Sequence, residues 1–205
     1  MKKTFLLSCL MLAAMPVMAA YTGHVYVDKN KNGVFDPGEK TWAGIKVSDG
    51  LNVVETAADG SFTLPGHERE RFIFITAPSG YKTFNRHYHK IEKKQSGYDF
   101  GLIPYSGRIR KEGSHRYIHI TDTEIFNTEN HADWVNNVHD YARNEQAAFI
   151  IHTGDICYEK GLKAHIKLMN TEKMDCPVFY CIGNHDLVKG KYGEELFESI
   201  YGPVY

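Results

Sequence analysis

The chain has 205 residues, of which 42% are hydrophobic and 24% are charged, and its mean hydropathy is −0.40. This composition is that of a globular protein, and it excludes a disordered chain, a collagen-like chain and a membrane protein with several spans. Lys and Arg number 24 against 25 Asp and Glu, which gives a net charge of −1. The chain therefore lacks the basic surplus that binding to nucleic acid or to an anionic membrane surface requires.

The first 20 residues have the layout of a secretory signal. Lys2 and Lys3 precede an apolar run over 5–17, and small residues follow it. The run is too short to be a stable membrane anchor. A buried N-terminal helix is the alternative to a signal. We expect export to the periplasm or cell surface of a Gram-negative bacterium, with no transmembrane anchor after cleavage. Loss of the two lysines leaves a charge of 22 − 25 = −3.

Residues 21–105 show short alternating segments that are typical of β-strands. Strands are predicted at 25–27, 45–47, 53–55, 61–64, 72–75 and near 100–103, and Gly-containing turns separate them. Turn signals about 8–12 residues apart, without a helical period, predict a small β-sandwich. The polar stretch 82–95 is interpreted as a loop, and 106–114 as a linker to a second domain.

One turn of this first domain matches a calcium-binding loop. Residues 28–39 read DKNKNGVFDPGE and fit the pattern D-x-[DN]-x-[DN]-G-x₅-E in full. Such a loop binds Ca²⁺ through oxygens at its positions 1, 3, 5, 7, 9 and 12, which are Asp28, Asn30, Asn32, Val34, Asp36 and Glu39. The flanks are predicted strands, so an EF-hand pair is excluded. A weak extracellular calcium site and a solvated Asn/Asp/Gly turn both explain the pattern.

The pattern changes after residue 115 to alternating strands and helices. Compact apolar runs at 117–121, 149–153 and 178–182 are typical of strands that are buried on both faces. Apolar residues at 134, 135, 138, 141 and 142 lie on one face of a predicted helix, and further helices are predicted at 162–174 and 194–201. The order βαβαβα predicts a parallel, doubly wound sheet.

Polar residues follow each of these three strands. They are Asp122, Asp155, and the pair Asn184 and His185. Because ligands bind beyond the carboxyl ends of the strands in an open α/β sheet, we expect these side chains to converge. Carboxylate, amide and imidazole ligands suit a hard or borderline divalent metal ion. The alternative is that these are unrelated turn residues. Their occurrence at three successive strand ends disfavours it.

Three segments carry a resemblance to a known family. Asp122-Thr123-Glu124, Gly154-Asp155 and Gly183-Asn184-His185-Asp186, in that order and on those strands, resemble the calcineurin-like metallophosphoesterases. The preceding β-domain resembles the N-terminal domain of exported, Bacteroidetes-type members. The resemblance implies two domains: an N-terminal all-β sandwich of prealbumin-like type at 21–105, then the first half of an α/β (αββα-type) metallophosphoesterase domain at 115–205.

The same resemblance implies a centre of two divalent metal ions, which would be Mn, Mg, Fe or Zn. Asp122 would bind the first ion, Asp155 would bridge both, and Asn184 would bind the second. Glu124 stands where the family usually has a histidine that completes the first site. A carboxylate there either favours Mg²⁺ or Mn²⁺ over Zn²⁺, or weakens the site so that one ion binds tightly.

Hydrolysis of a phosphate mono- or diester is the reaction that the resemblance implies, on a phosphorylated small molecule or glycan. His185 would lie beside the phosphate as an acid or transition-state stabiliser, and Asp186 would orient it. Paired metal ions lower the pKa of a bridging water and stabilise the attacking and leaving oxygens. His119 and His152 are each separated by two residues from the following acid, so they are expected to face away from it, as core or supporting residues.

The family uses further histidines from a second half, whereas the chain stops at Tyr205. We therefore expect a truncated fragment with little or no turnover. The alternative function is a non-catalytic exported binding module with a calcium-stabilised β-domain. Cys157, Cys176 and Cys181 are expected to be structural thiols, with Cys181 buried in a strand, and a bridge between Cys157 and Cys181 is the alternative.

Overall fold

The structure, a computed structural model, describes residues 20–105 and 113–204. Except for Ala20, the predicted signal at 1–20 lies outside the described residues. The predicted linker at 106–114 also lies outside them, except for Gly113 and Ser114. Within the described ranges, no helix has both the length and the apolar composition that crossing a membrane requires.

Eight strands form two four-stranded sheets within residues 20–105. In chain order they are β1 Ala20–Val27, β2 Lys46–Ser48, β3 Val53–Glu55, β4 Ser61–Pro65, β5 Phe72–Ile75, β6 Tyr81–Thr83, β7 Tyr88–Lys90 and β8 Phe100–Pro104. One sheet has the order β4-β1-β8-β6 and the other has the order β3-β2-β5-β7. Neighbouring strands are antiparallel except for β1 and β8, which are parallel.

Both sheets contribute to one hydrophobic core. Alternation along β4 buries Phe62 and Leu64 and exposes Thr63 between them, which is the period-2 pattern of a strand with one buried face. Val47 on β2 and Ile73 on β5 belong to the same cluster as Phe62. The β-rich N-terminal half is therefore two sheets packed face to face.

The interpretation of 82–95 as a loop is wrong, because β6 and β7 lie in or beside this stretch. Tyr81–Thr83 pairs with β8, and Tyr88–Lys90 pairs with β5. Both are edge strands of three residues, and the lysines at such edges made the segment read as polar. Tyr88 is buried edge-to-face on Phe72, with ring centroids 5.7 Å apart.

The C-terminal half has the predicted βαβαβα order. Its elements are β9 Tyr117–Ile120, α1 Ala132–Asn144, β10 Phe149–His152, α2 Tyr158–Leu168, β11 Val178–Tyr180 and α3 Glu195–Tyr201. The sheet order is β11-β10-β9, and both strand pairs are parallel, so the predicted parallel sheet is confirmed. Helix α2 begins earlier and ends earlier than the predicted 162–174, since the strand-end turn leads directly into it.

The two halves contact each other through a charged group. Arg71, just before β5, donates to Glu194 Oε1 at 2.9 Å and lies 2.8 Å from Glu198 Oε1 on α3. Both carboxylates are buried. Nearby, the ring of Tyr88 packs so closely on Gly202 that a Cβ at this glycine would overlap it. The β-sandwich and the α/β half are therefore packed against each other.

Two buried histidines make the α/β half sensitive to acid. Burial lowers the pKa of His152 to about 4 and that of His165 to about 3, against about 6.5 in an unfolded chain. The folded chain keeps both rings neutral, whereas the unfolded chain takes up protons as the pH falls below about 6.5. We expect the free energy of unfolding to fall between about pH 6.5 and 4, by about 1.4 kcal/mol per pH unit for each ring.

Urea unfolding midpoints over this pH range measure the slope. The His165→Leu variant is expected to show a shallower slope than the wild type, because one of the two titrating rings is gone. The His24→Gln variant is the control, since the His24 side chain keeps 40% of its surface exposed and its replacement should leave the slope nearly unchanged. Equal slopes for the wild type and His165→Leu would contradict the prediction.

Candidate metal centre

The three strand ends of the parallel sheet meet at one edge. Asp122 follows β9, Asp155 follows β10, and a 3-10 turn over Asn184–Asp186 follows β11. Because β10 is the central strand, Asp155 lies between the other two ends. We call the segments 121–124, 153–158 and 183–186 the strand-end rim.

Backbone hydrogen bonds join the segments of the strand-end rim. The N–H of Asp122 donates to the carbonyl of Gly154 at 3.1 Å, and the N–H of Glu124 donates to the carbonyl of Asp155 at 3.3 Å. On the other side, the N–H of His185 donates to Oδ1 of Asp155 at 3.0 Å. The carboxylate of Asp155 is therefore held against the segment that carries His185.

The rim has an unusual number of non-glycine residues in the left-handed backbone region. The φ angles are 53° for Asp122, 42° for Glu124, 53° for Asp155, 111° for Cys157 and 39° for Tyr158. Such conformations cost about 1–3 kcal/mol each and concentrate at functional sites, where the surrounding structure enforces them. The rim is thus a strained segment that tertiary contacts hold in place.

Two glycines allow the β10 and β11 segments to cross at close range. A Cβ at Gly154 would lie 2.5 Å from the nitrogen of Gly183, and a Cβ at Gly183 would lie 3.0 Å from Cα of Asp155 and overlap its nitrogen. Gly154 also has φ +100°, which favours glycine. The glycines that precede Asp155 and Asn184 are therefore required by the approach of two backbones.

Asp186 is wholly buried beneath the rim. Its Oδ1 accepts the N–H of Cys157 at 2.9 Å, and its Oδ2 accepts the N–H of Gly183 at 2.9 Å. The carboxylate thus joins the β10 and β11 segments from below. We expected Asp186 to orient the His185 side chain, but both carboxylate oxygens of Asp186 accept backbone N–H groups instead.

His185 has two other neighbours in the rim. Its Nδ1 lies 3.4 Å from Oε1 of Glu124, and its ring stacks on that of Tyr158, with centroids 5.6 Å apart and planes 14° apart. Both Glu124 and Tyr158 are exposed. The side chains that contact the imidazole are therefore on the β9 and β10 segments, whereas the sequence pointed to its own neighbour Asp186.

Of the two strand histidines, His152 supports the rim as predicted. It is wholly buried, its Nδ1 accepts the N–H of Gly154 at 3.2 Å, and its Nε2 lies 2.9 Å from the hydroxyl of Thr123. The protonated nitrogen is therefore Nε2, which donates to Thr123 between the two predicted metal ligands of the β9 segment. His119 is exposed and therefore not a core residue. Its Nε2 lies 2.8 Å from the hydroxyl of Thr153 in the rim, which agrees with the other predicted role, that of a supporting residue.

The thiols of Cys157 and Cys181 differ in burial. Cys157 is buried, and burial, together with the carboxylates Glu124, Asp186 and Asp155, raises its pKa. A thiol of this kind is unreactive at neutral pH. Cys157 and Cys181 are both free thiols, which excludes a bridge between them in this structure. Cys181 is exposed, so its predicted burial was wrong, because β11 ends at Tyr180 before it.

Two family models match the chain. The model described as N terminal of Calcineurin-like phosphoesterase covers residues 29–104, and the model described as Calcineurin-like phosphoesterase covers residues 115–204. The chain belongs to the calcineurin-like phosphoesterases. No curated protein matches it. The family hydrolyses phosphoesters with metal ions, typically two per site.

The strand-end rim of this phosphoesterase carries several oxygen-bearing side chains. Asp122, Glu124 and Asp155 offer carboxylates and Asn184 offers an amide oxygen, a set that suits hard divalent ions. The carboxylates do not gather closely, however. Within the described ranges they belong to no group of three His, Cys, Asp or Glu ligand atoms that all lie within 4.8 Å of one another. The carboxylate of Asp122 accepts the hydroxyl of Thr121.

One group that meets this distance criterion lies in the β-sandwich and consists of Asp49, His67 and Glu70. The Nδ1 of His67 accepts the N–H of Arg69 at 3.2 Å, so a proton resides on Nε2. That nitrogen faces Oδ1 of Asp49 at 3.5 Å. Metal binding through Nε2 would require loss of that proton, so in the observed geometry the group is a neutral imidazole that faces the carboxylate of Asp49.

Two residues of the phosphoesterase rim were missed from the sequence. Tyr158 lies three positions after Asp155 and belongs to none of the three motifs, and Thr123 lies inside the first motif but was given no role of its own. The ring of Tyr158 reaches His185 only because α2 begins there with a left-handed residue. No local pattern predicts such a contact.

Proposed function

We propose that this phosphoesterase hydrolyses phosphate esters at a dinuclear metal centre on the strand-end rim. Asp122 and Glu124 would bind the first ion, Asp155 would bridge both ions, and Asn184 would bind the second, with His185 beside the phosphate. The observation that carries the proposal is the convergence of three adjacent parallel strand ends, tied together by the hydrogen bond from the His185 N–H to Asp155.

The chain's own residues would position the reaction. Bound ions would supply an activated water and stabilise the charge of the transferring phosphoryl group. The stacked ring of Tyr158 and the carboxylate of Glu124 restrict the orientation of His185. Asp186 supports the same segment through its bonds to backbone N–H groups, and thus acts as a positioning residue.

We further propose that turnover by this chain is low and that Mn²⁺ or Mg²⁺ is the preferred ion. Glu124 faces His185 at 3.4 Å, and a carboxylate replaces the histidine that the family usually has at this position. The first site then has oxygen donors only, which favour hard ions and bind them less tightly than a site with an imidazole ligand.

The experiment combines calorimetric titration of Mn²⁺ with hydrolysis of p-nitrophenyl phosphate and bis-p-nitrophenyl phosphate. We expect Mn²⁺ binding by the wild type and slow, Mn²⁺-dependent hydrolysis of one of the two esters. The Asp155→Asn variant is expected to lose at least about tenfold in Mn²⁺ affinity, because even an outer-shell partner of a metal site contributes that much. The Asp140→Asn variant is the matched control, since Asp140 lies exposed on α1.

The outcomes separate the proposals. Robust hydrolysis would contradict the proposed low turnover but support the proposed metal centre. Equal Mn²⁺ affinity of Asp155→Asn and the wild type would contradict the metal centre itself. Absence of both Mn²⁺ binding and hydrolysis would favour the other function class, a non-catalytic exported binding module.

We infer the remaining assignments from the sequence and from the family. The substrate would be a phosphorylated small molecule or glycan outside the cytoplasm, after removal of the signal at 1–20. Residues 21–105 would form a separate domain of prealbumin-like type, which the two packed four-stranded sheets support. Residues 115–205 would contribute the catalytic domain.

A further inference from the structure

We propose that the loop 28–39 of the β-sandwich binds Ca²⁺ and that the buried hydroxyl of Tyr26 completes the site. This site is separate from the strand-end rim and does not depend on phosphoester hydrolysis. The proposal rests on the closure of the loop, on the placement of its oxygens and on a buried hydroxyl that lacks a hydrogen-bond partner.

The loop is closed at its base by the sheet. The N–H of Val27, the last residue of β1, donates to the carbonyl of Lys40 at 2.7 Å, and the N–H of Asp28 donates to the carbonyl of Leu102 at 2.9 Å. Inside the loop, Phe35 packs on Tyr26 with ring centroids 5.0 Å apart. The ends of the loop are therefore fixed before any ion binds, which lowers the entropy cost of binding.

The first ligand position is a buried carboxylate. Asp28 is only 1% exposed, and its two oxygens accept the N–H groups of Asn32 at 3.1 Å and Gly33 at 2.8 Å. Each carboxylate oxygen has about two acceptor positions, so each of these oxygens keeps one. These remaining acceptor positions are available to a cation.

The other oxygens surround the same loop. Asp36 accepts the side-chain amides of Asn30 and Asn32 at 2.8 Å each, and Glu39 accepts the N–H groups of Lys29 at 2.9 Å and Asp36 at 3.1 Å. These weak neutral donors would give way to a cation as Asp36 and Glu39 turn inward. With the carbonyl of Val34, the loop offers the six or more oxygens that Ca²⁺ takes.

Tyr26 is the independent observation that points to a ligand. Its side chain is wholly buried, and its hydroxyl has no hydrogen-bond partner among the described residues. A Cβ at Gly101 would lie 3.1 Å from this hydroxyl and 3.3 Å from Oδ2 of Asp28, so both groups lie beside Gly101 at the base of the loop.

An unsatisfied buried hydroxyl is rare in a folded protein, because burial without a hydrogen bond is unfavourable. A water molecule bound to Ca²⁺ beside Asp28 would satisfy it, and an EF-hand type of loop commonly binds one ligand through water. Three carboxylates with two amides give the modest charge that suits extracellular calcium, with a dissociation constant of about 10⁻⁴–10⁻³ M.

The test is calorimetric titration of CaCl₂ into the full chain, with MgCl₂ as the comparison ion. The wild type and Asp155→Asn are expected to bind Ca²⁺ equally, because the rim is not involved. Asp28→Asn and Glu39→Gln are expected to bind at least about tenfold more weakly. Asp59→Asn is the matched control, since Asp59 is an exposed turn carboxylate that caps Ser61. Tyr26→Phe, which removes one oxygen, is expected to bind about three- to tenfold more weakly.

Absence of Ca²⁺ binding by the wild type at about 10 mM, above the extracellular range, would overturn the proposal. Equal affinities for wild type, Asp28→Asn and Glu39→Gln would do the same. If Asp28→Asn fails to fold, Glu39→Gln carries the test, because Glu39 is not buried. Unchanged affinity of Tyr26→Phe would remove the role of the hydroxyl. Loss of Ca²⁺ binding in Asp155→Asn would place the ion at the rim and overturn this assignment, while saying nothing against hydrolysis there.

Discussion

The Asp186→Ala variant is expected to lose about 3 kcal/mol in free energy of unfolding. Its carboxylate accepts N–H groups of Cys157 and Gly183 in a fully buried position, and an unsatisfied buried N–H group costs about 1–3 kcal/mol. The strained backbone of Cys157, with φ 111°, also loses the contact that holds it. Mn²⁺ affinity should fall as well, because the segment of Asn184 would no longer be fixed against that of Asp155.

Urea unfolding of the wild type and of two variants measures this effect. Asp140→Ala is the control, since this α1 carboxylate is 71% exposed and its loss should stay within about 0.5 kcal/mol. Asp186→Asn, which keeps one acceptor oxygen, is expected to fall between the wild type and Asp186→Ala. Wild-type stability of Asp186→Ala would show that the two N–H groups find other acceptors and would contradict the role assigned to this residue.

The Gly183→Ala variant is expected to be destabilised by about 2–4 kcal/mol, as overpacking against a rigid neighbour predicts. The added Cβ would lie 3.0 Å from Cα of Asp155 and would overlap its backbone nitrogen. Main-chain atoms cannot move aside as the end of a long side chain can. The β10 segment must therefore shift and carry Asp155 away from the rim, so we expect Mn²⁺ affinity to fall together with stability.

Gly97→Ala is the matched control for this substitution. A Cβ at Gly97 meets nothing within 4 Å, and its φ is not in the left-handed region, so the change should leave urea unfolding and Mn²⁺ binding nearly unchanged. Equal stability of Gly183→Ala and Gly97→Ala would contradict the close crossing of the β10 and β11 segments.

Local pattern by itself determined the parallel sheet and the edge at which polar residues collect. The runs that became β9, β10 and β11 consist of apolar, largely β-branched or aromatic residues with helical periods between them. This composition and the helical periods between the runs were enough to predict the strands. The expected burial on both faces was wrong for β9, however, where no residue is buried and Tyr117 is 59% exposed. The placement of Asp122, Asp155 and Asn184 at this edge could then be predicted as well, because they come directly after the strands in the sequence.

The edge strands of the β-sandwich could be identified only from the tertiary structure. The strands β6 and β7 each have three residues, and their order comes from pairing with β8 and β5, which lie elsewhere in the chain. A segment with exposed lysines has no periodic signal of its own. Gly23 lies inside β1, where the backbone of Tyr98 comes too close to leave room for a side chain. Tyr98 is distant from Gly23 in the chain, so local pattern does not record this contact.

Only the tertiary structure decided what each site residue contacts. Asp186 follows His185 in the chain, yet its carboxylate serves the backbone of Cys157, while Glu124 and Tyr158 reach the imidazole from other strands. The sequence determines which residues lie at a strand end through the local period of burial. The direction of each side chain is determined by contacts between residues far apart in the chain, which no local pattern records.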